Sequence, residues 1–412
     1  MKGNLIYGQS GGPTAVINST AAGVFLEALK HEDKIEKVYA AGHGIVGILE
    51  EEIYDIGKED EEDLLLLKQT PSSALGSCRY KLADVEEEDE DYFRILDVFR
   101  KYNIRYFLYN GGNDSMDTCS KISKFLAEHD YPCQVIGVPK TIDNDLCGTD
   151  HCPGYGSAAR YIAVTMREIY KDSVVYDRPQ VTVVEIMGRH AGWLTAASAL
   201  ASYKGAGPDL IYLPEVTFDL KRALADIKNV FERKGKVLIC LSEGVQTAEG
   251  KFLHELTSDN ISTDAFGHKQ LGGAAASFGA LIKDQMPAKV RSIELSLMQR
   301  AAAHLASKLD LEESFFAGQE AVRAALAGKS DIMIGFSRPE TGEYKTQIIN
   351  VPLSEAANDE KTIPLSWIQN DGNGVKQEFL DYAFPLIQGA PQILLDEDAM
   401  PRYAELKFHK IQ

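Results

Sequence analysis

Cations are scarce in this chain. Its 43 lysines and arginines face 61 aspartates and glutamates, a formal net charge of −18 over 412 residues. That balance argues against nucleic acid or an anionic membrane surface as the main partner. It leaves room for a small anionic substrate, because a basic pocket can sit inside an acidic surface. Long apolar runs are also missing. None approaches the roughly 18 residues that a bilayer-crossing helix needs, so no membrane partner is expected. The opening Met1-Lys-Gly-Asn-Leu-Ile-Tyr7 runs straight into a strand and does not read as a signal peptide. The six cysteines, Cys78, Cys119, Cys133, Cys147, Cys152 and Cys240, contain no C-x-x-C pair. Cys147, His151 and Cys152 could be read as zinc ligands, but a four-ligand site needs a second pair that is not visible. Reduced thiols in a cytoplasmic protein are the simpler reading.

What is present is ordinary in bulk and specific in pattern. A composition of 44% hydrophobic and 25% charged residues suits a soluble globular protein, and 412 residues allow two or three domains. Apolar runs at 5–7, 37–41, 104–109, 133–138, 181–186, 210–214 and 237–241 read as strands. Glycine turns and helical stretches, such as 15–29 and 193–203, alternate with them. A helix is also expected from near Met116. The stretch 291–300 reads as a further strand, because Ile293, Leu295 and Leu297 alternate with polar residues, and 301–309 as a helix. The runs 332–336 and 344–351 read as a β-hairpin. Acidic runs at 50–63 and 86–91 read as solvated surface. The pattern predicts an α/β protein of two similar doubly wound, Rossmann-like lobes with mainly parallel sheets and the active site in the cleft between them. The expected lobes are 1–145, completed by part of 250–330, and 146–350, with 351–412 as a C-terminal extension showing no clear chemistry.

The polar residues gather where these strands end. The run 133–138 passes into Pro139-Lys-Thr-Ile-Asp-Asn-Asp145, which offers a cation, a hydroxyl and two carboxylates two residues apart. Ligands of α/β proteins sit at the carboxyl ends of strands, so this stretch fits phosphate, metal and proton handling together. Gly8-Gln-Ser-Gly-Gly-Pro-Thr14 is a strand–glycine loop–helix junction of the kind that presents N–H groups to phosphate. It is neither a Walker loop nor a G-x-G-x-x-G, and a tight turn without ligand reads equally well. Thr70-Pro-Ser-Ser-Ala-Leu-Gly-Ser-Cys-Arg79 suits either anion binding or a plain turn. Asn110-Gly-Gly-Asn-Asp-Ser115 is a second glycine loop, and it carries a carboxylate, Asp114, which repels phosphate unless a metal or lysine neutralises it. Arg189, in Met187-Gly-Arg-His-Ala-Gly192, is placed to clamp phosphate. Glu243 closes another strand.

Taken in order, Gly11-Gly-Pro, Gly111-Gly-Asn-Asp-Ser, Pro139-Lys-Thr-Ile-Asp-Asn-Asp, Met187-Gly-Arg and Ser242-Glu-Gly resemble the phosphofructokinase family over about residues 1–350. Where ATP-using members have Gly-Gly-Asp-Gly-Ser this chain has Asp114, and where they have glycine before Thr-Ile-Asp-Asn-Asp it has Lys140. That pair is similar to the pyrophosphate-dependent members. The resemblance implies reversible phosphoryl transfer from pyrophosphate to the 1-hydroxyl of fructose 6-phosphate, with Mg²⁺ as cofactor and glycolysis or gluconeogenesis as setting. Asp143 would be the general base. Asp145 and Asn113 would hold the metal, Asn113 standing where an aspartate is usual. Gly11 and Gly12 would present N–H groups to the donor, and Lys140 would neutralise the leaving phosphate. Asp114 would exclude a nucleotide by bulk and charge. Thr141, Ile142, Asp143, Met187, Gly188, Arg189 and Glu243 would bind the sugar phosphate, with Arg291 and Arg300 on its 6-phosphate and Lys269 and Arg178 in reserve. Leu297 stands in place of a histidine and Gln180 in place of an interface arginine, which points to a homodimer rather than a regulated tetramer. The competing expectations are an ATP-dependent sugar-phosphate kinase and a non-catalytic sugar-phosphate sensor.

Overall fold

The structure is a computed structural model that describes residues 1–256, 272–339, 344–357 and 359–411. Among these residues eleven strands form two sheets. They are β1 (Gly3–Gln9), β2 (Ile35–Ala41), β3 (Ile53–Asp55), β4 (Ile104–Gly111), β5 (Gln134–Pro139), β6 (Gln180–Ile186), β7 (Leu210–Tyr212), β8 (Lys236–Ser242), β9 (Lys289–Glu294), β10 (Ile332–Ser337) and β11 (Gln347–Pro352). The larger sheet runs β11-β10-β5-β4-β1-β2-β3, and the smaller β7-β8-β6-β9. Pairing is parallel except for the two outer strands of the larger sheet, β3 and β11. Parallel sheets are covered on both faces, so their strands are apolar throughout. β1 shows this, since every one of its seven residues is buried. Two doubly wound α/β lobes are therefore present, as the alternation of strands and helices predicts.

Sheet membership divides the chain differently from the expected lobes. The chain leaves the first sheet after β5, builds the second, then returns through the helix Lys308–Leu326 and the hairpin β10–β11. The return is fixed by a close helix crossing. Lys308–Leu326 lies against Ile17–Ala28 with Gly318 and Gly23 at the contact, where added Cβ atoms would come within 2.2 Å of Thr20 O and 2.1 Å of Phe315 O. Only glycine allows backbones that near.

Local expectations fail where side-chain capping or strand length decides. The first helix starts at Ile17, not at residue 15, because Thr14 Oγ1 accepts from Val16 and Ile17 N–H at 3.2 and 2.9 Å. The helix expected near Met116 begins at Asn113, which brings Asp114 into its first turn. The strand expected over 291–300 stops at Glu294, and Leu297 is exposed. The stretch 301–309 is not one helix, since the long helix starts at Lys308 behind its cap Ser307. The acidic run at 59–63 is not simply solvated. It receives the chain's end through Lys407 N–H to Glu59 (2.7 Å), Lys407 Nζ to Asp60 (2.6 Å) and Arg402 to Glu62 (2.7 Å).

The C-terminal residues are part of the core. Ile363, Ile368, Val375, Phe379, Ala383 and Leu386 are buried in the same cluster as Trp193 and the β6–β8 pair. Phe379, at 0% exposure, packs 6.3 Å from the Trp193 ring. Truncating it leaves a large void, so Phe379→Ala should destabilise the protein by about 3–5 kcal/mol, read as a lowered midpoint in thermal denaturation.

Candidate active site

The carboxyl ends of both sheets open on one cleft with two joined chambers, of about 650 and 410 Å³. Gly12, Arg79, Asp114, Lys140, Thr141 and Asp143 line both. The larger chamber adds Ile142, Met187, Arg189, Glu243 and Arg300, and the smaller adds Gly11, Asn113 and Asp145. The residues on the shared wall are those that a group passing between chambers would meet.

Lys140 follows β5 and is 3% exposed. Its Nζ donates to Gly12 C=O at 2.7 Å. Burial pushes its ammonium down to about 8, and the charges of Asp143 and Asp145 offset only part of that. Gly11 has φ +76°, and a Cβ there would lie 3.2 Å from Lys140 Nζ. The glycine loop thus bends tightly around the lysine. One expectation fails here. Gly11 N–H already donates to Cys78 C=O at 3.0 Å, so it does not face a donor, whereas Gly12 N–H has no partner among the described residues. That bond, with Ser77 Oγ on Gly11 C=O at 2.6 Å, ties the 70–79 segment to the loop and carries Arg79 into both chambers. Ser77 therefore serves the fold, and Arg79 is a candidate that the sequence reading left as one of two options.

Asp143 and Asp145 are separated by Asn144, which is fully buried with φ +56°. Asp143 lines both chambers and Asp145 only the smaller. Burial, then the charges of Asp145 and Glu243, push the Asp143 carboxyl up to about 7. Burial raises Asp145 as well. Asn113 Nδ2 donates to Asp145 Oδ2 at 3.2 Å, while Asn113 Oδ1 and Asp145 Oδ1 are buried without a hydrogen-bond partner among the described residues. Two unpartnered oxygens on hydrogen-bonded side chains fit a hard cation such as Mg²⁺, which takes few protein ligands and fills its shell with phosphate and water. Among the described residues no group of three or more His, Cys, Asp or Glu side chains forms a metal site. Asp114, in the first turn of Asn113–Glu128, is exposed on the shared wall, and its carboxylate makes no hydrogen bond or ion pair among the described residues.

On the other side, Met187 N–H donates to Gln299 Oε1 (3.0 Å) and Gly188 N–H to Glu243 Oε1 (3.3 Å). Ser242 Oγ holds Gly188 C=O. These bonds lock the Met187–Arg189 turn to the end of β8. Glu185, on β6, is 2% exposed and was not anticipated as a site residue. Burial pushes it up to about 7; its Oε2 accepts from Ala275 N–H at 2.8 Å, and its Oε1 has no partner among the described residues. A lone glutamate in an apolar strand was the available signal. Gln299 was missed because 291–300 read as a strand. Burial, and then the neighbouring Arg79, lower the Arg300 pKa.

Arg291 does not reach the cleft. It sits three residues before the end of β9, roughly 10 Å back along the strand, in a separate 260 Å³ groove with Gln180 and Thr182. Arg178 lies just before β6, at the opposite end of the strand from the cleft. Lys269 falls outside the described residues. His151 is bracketed by Asp150 (2.9 Å) and Glu313 (2.8 Å) rather than by cysteines, and all six cysteines are free thiols.

Lys140 also has a stability consequence. Its folded pKa lies below the unfolded value, so the unfolded chain binds more protons between pH 8 and 10.5. Below pH 8 the buried ammonium costs about 3 kcal/mol, and the cost fades as pH rises through that window. Lys140→Met should therefore raise the melting temperature of the ligand-free protein at pH 7, with a smaller gain at pH 10. A fall at pH 7 would mean that the bond to Gly12 outweighs desolvation.

The Phosphofructokinase family profile matches residues 4–293. The chain is 45% identical to the pyrophosphate–fructose 6-phosphate 1-phosphotransferase of Xanthomonas campestris pv. campestris, over 98% of this chain and 96% of that one. It is 42% identical to the enzyme of the same name from Halomonas elongata, over 99% and 97%. The crystal structure of the pyrophosphate-dependent phosphofructokinase from Marinobacter aquaeolei superposes with a TM-score of 0.89 at 38% identity, covering 100% of this chain and 98% of that one. With its two α/β lobes, its shared cleft and these full-length relatives, the chain belongs to the phosphofructokinase family.

Proposed function

We infer that this chain transfers a phosphoryl group reversibly from pyrophosphate to the 1-hydroxyl of fructose 6-phosphate, giving fructose 1,6-bisphosphate and phosphate. The observation that carries the donor assignment is the shared wall. Asp114 places an exposed carboxylate, without a partner among the described residues, on the wall that a longer donor would cross, and Lys140 places a buried cation on the same wall. Pyrophosphate fits the smaller chamber and the sugar phosphate the larger one.

Asp143 accepts the proton of the 1-hydroxyl, because it alone of the two loop carboxylates lines both chambers. A carboxyl raised to about 7 is well matched to that task near neutral pH. Asp145 and the amide oxygen of Asn113 would hold Mg²⁺, which supplies charge neutralisation on the donor's phosphates. Lys140 stabilises the phosphate that departs, and Gly12 N–H faces it. On the acceptor, Thr141, Ile142 and the turn Met187–Arg189 shape the sugar pocket, Arg189 reaches the moving phosphoryl group and Glu243 takes sugar hydroxyls. Arg300 and Arg79 are the cations we assign to phosphate within this chain. A homodimer in the cytoplasm completes the reading, with the exposed outer strand β9, which bears Arg291, as the surface a second copy would cover.

The test is fructose 1,6-bisphosphate formation with Mg²⁺ and either pyrophosphate or ATP. Activity with pyrophosphate alone is expected, and activity with ATP alone would overturn the donor assignment. Asp114→Gly should then admit ATP, seen as new ATP-dependent turnover. Asp143→Asn keeps the shape but cannot take a proton, so kcat should fall about 10²–10⁴-fold with little change in KM.

A further inference from the structure

The loop 140–154 that carries both carboxylates is held from behind by the C-terminal segment. Lys361 N–H donates to Asp145 C=O at 2.7 Å, and Leu146 forms an antiparallel bridge with Glu360. Lys361 Nζ donates to the carbonyls of Thr149 (3.1 Å) and Asp150 (2.8 Å). The Tyr382 hydroxyl donates to Asp150 C=O at 2.7 Å and accepts from Asn144 Nδ2 at 2.8 Å. Asn144 Oδ1 in turn accepts from Cys152 N–H at 2.9 Å. One phenol and one amide thus tie residues 144, 150 and 152 into a closed hydrogen-bonded ring.

Asn144 is the hinge of the arrangement. Its left-handed backbone, φ +56°, turns the chain between the two carboxylates. Such a conformation is unfavourable outside glycine and persists only where the surroundings hold it. Here the surroundings are Tyr382 and Cys152 N–H, one at each end of the buried amide. The Asn144 turn works together with Thr141 Oγ1, which accepts from Asp143 N–H at 3.0 Å, and with Asn113 and Lys361, which hold Asp145, to keep the two carboxylates in separate places.

We propose that Tyr382 and Lys361 are positioning residues for the reaction, acting through Asn144 and the 145–150 backbone to set the separate places of Asp143 and Asp145. Neither residue lines a chamber. The inference rests on the phosphotransferase reading above and gives the C-terminal segment a role in it. Misplacing a reacting group by about 1 Å costs on the order of 10²-fold in rate, which sets the scale of the effect.

Tyr382→Phe removes the hydroxyl and leaves the ring against Trp193, 5.2 Å away. Its kcat with pyrophosphate should fall about 10–100-fold, with both KM values within about twofold of the parent. Phe379→Leu, in the same helix but away from the loop, should lower the melting temperature and leave kcat unchanged. Amide hydrogen exchange on the unliganded proteins supplies a readout independent of activity. Exchange over 144–152 should quicken in Tyr382→Phe, with β4 and β5 unchanged. A Tyr382→Phe kcat within twofold of an active parent overturns the positioning role, as does an equal kcat loss in Phe379→Leu. Unchanged exchange over 144–152 overturns the clamp whatever the activities. A parent inactive with pyrophosphate would sink the phosphotransferase reading instead, and exchange would still decide whether Tyr382 holds the loop.

Discussion

A lysine ammonium buried against a backbone carbonyl is the constraint on which the cleft depends. Lys140 Nζ meets Gly12 C=O at 2.7 Å, and this contact brings the end of β5 onto the loop after β1. Nothing in the fold needs a charge there, and desolvation works against it. The carboxylates around it have the complementary difficulty, since Asp143 and Asp145 are crowded together out of water. Each sign makes the other tolerable. An arriving polyanion with its metal would satisfy both at once, the lysine by phosphate and the carboxylates by cation.

The scaffold tolerates this tension because the loop 140–154, open to the cleft on one side, is backed by three separate parts of the chain. The first sheet supplies β5, the second lobe supplies Met187–Arg189 and Glu243, and the chain's end supplies Lys361 and Tyr382. Behind the loop, half-buried Arg338 and Asp150 and buried His151 and Glu313 form a chain of alternating charge, with His151 stacked on Phe336. Burial opposes the imidazolium, but hydrogen bonds to Asp150 and Glu313 hold its pKa above the ordinary value. The two lobes and the tail thus meet in polar contacts whose partners are all internal.

The strands and the polar cluster at their ends were legible in the sequence because both follow short-range rules. An apolar run such as β4 or β8 declares itself, and Pro139-Lys-Thr-Ile-Asp-Asn-Asp145 stands directly after one. What was not legible depends on contacts between distant residues. Arg291 looked equivalent to Arg300 from spacing alone, yet the end of β9 at Glu294 leaves one in the cleft and the other outside it. Gly11 looked like a phosphate ligand until Cys78, 67 residues on, took its N–H. Tyr382 carries no local sign of its task, because the sign is Asn144, 238 residues away. Sheet order was hidden for the same reason, since the glycines that let the helix at 308–326 dock are spread over two segments.

The late return of the chain to its first sheet sets a schedule for biosynthesis. β5 pairs with β4 on one side and with β10 on the other, and Val135 N–H donates to Ser330 Oγ, 195 residues further on. At ribosomal speeds of about 5–20 residues per second, the open edge of β5 waits roughly 10–40 s for its partner. Throughout that interval a row of apolar, unpaired backbone stands ready to capture another nascent chain. The strands of the second sheet are made in the interval, but the core around Trp193 waits longer still, for residues 363–386. The emerging polypeptide is thus a natural client for chaperones that shield strand edges, although the finished molecule has none exposed at that position.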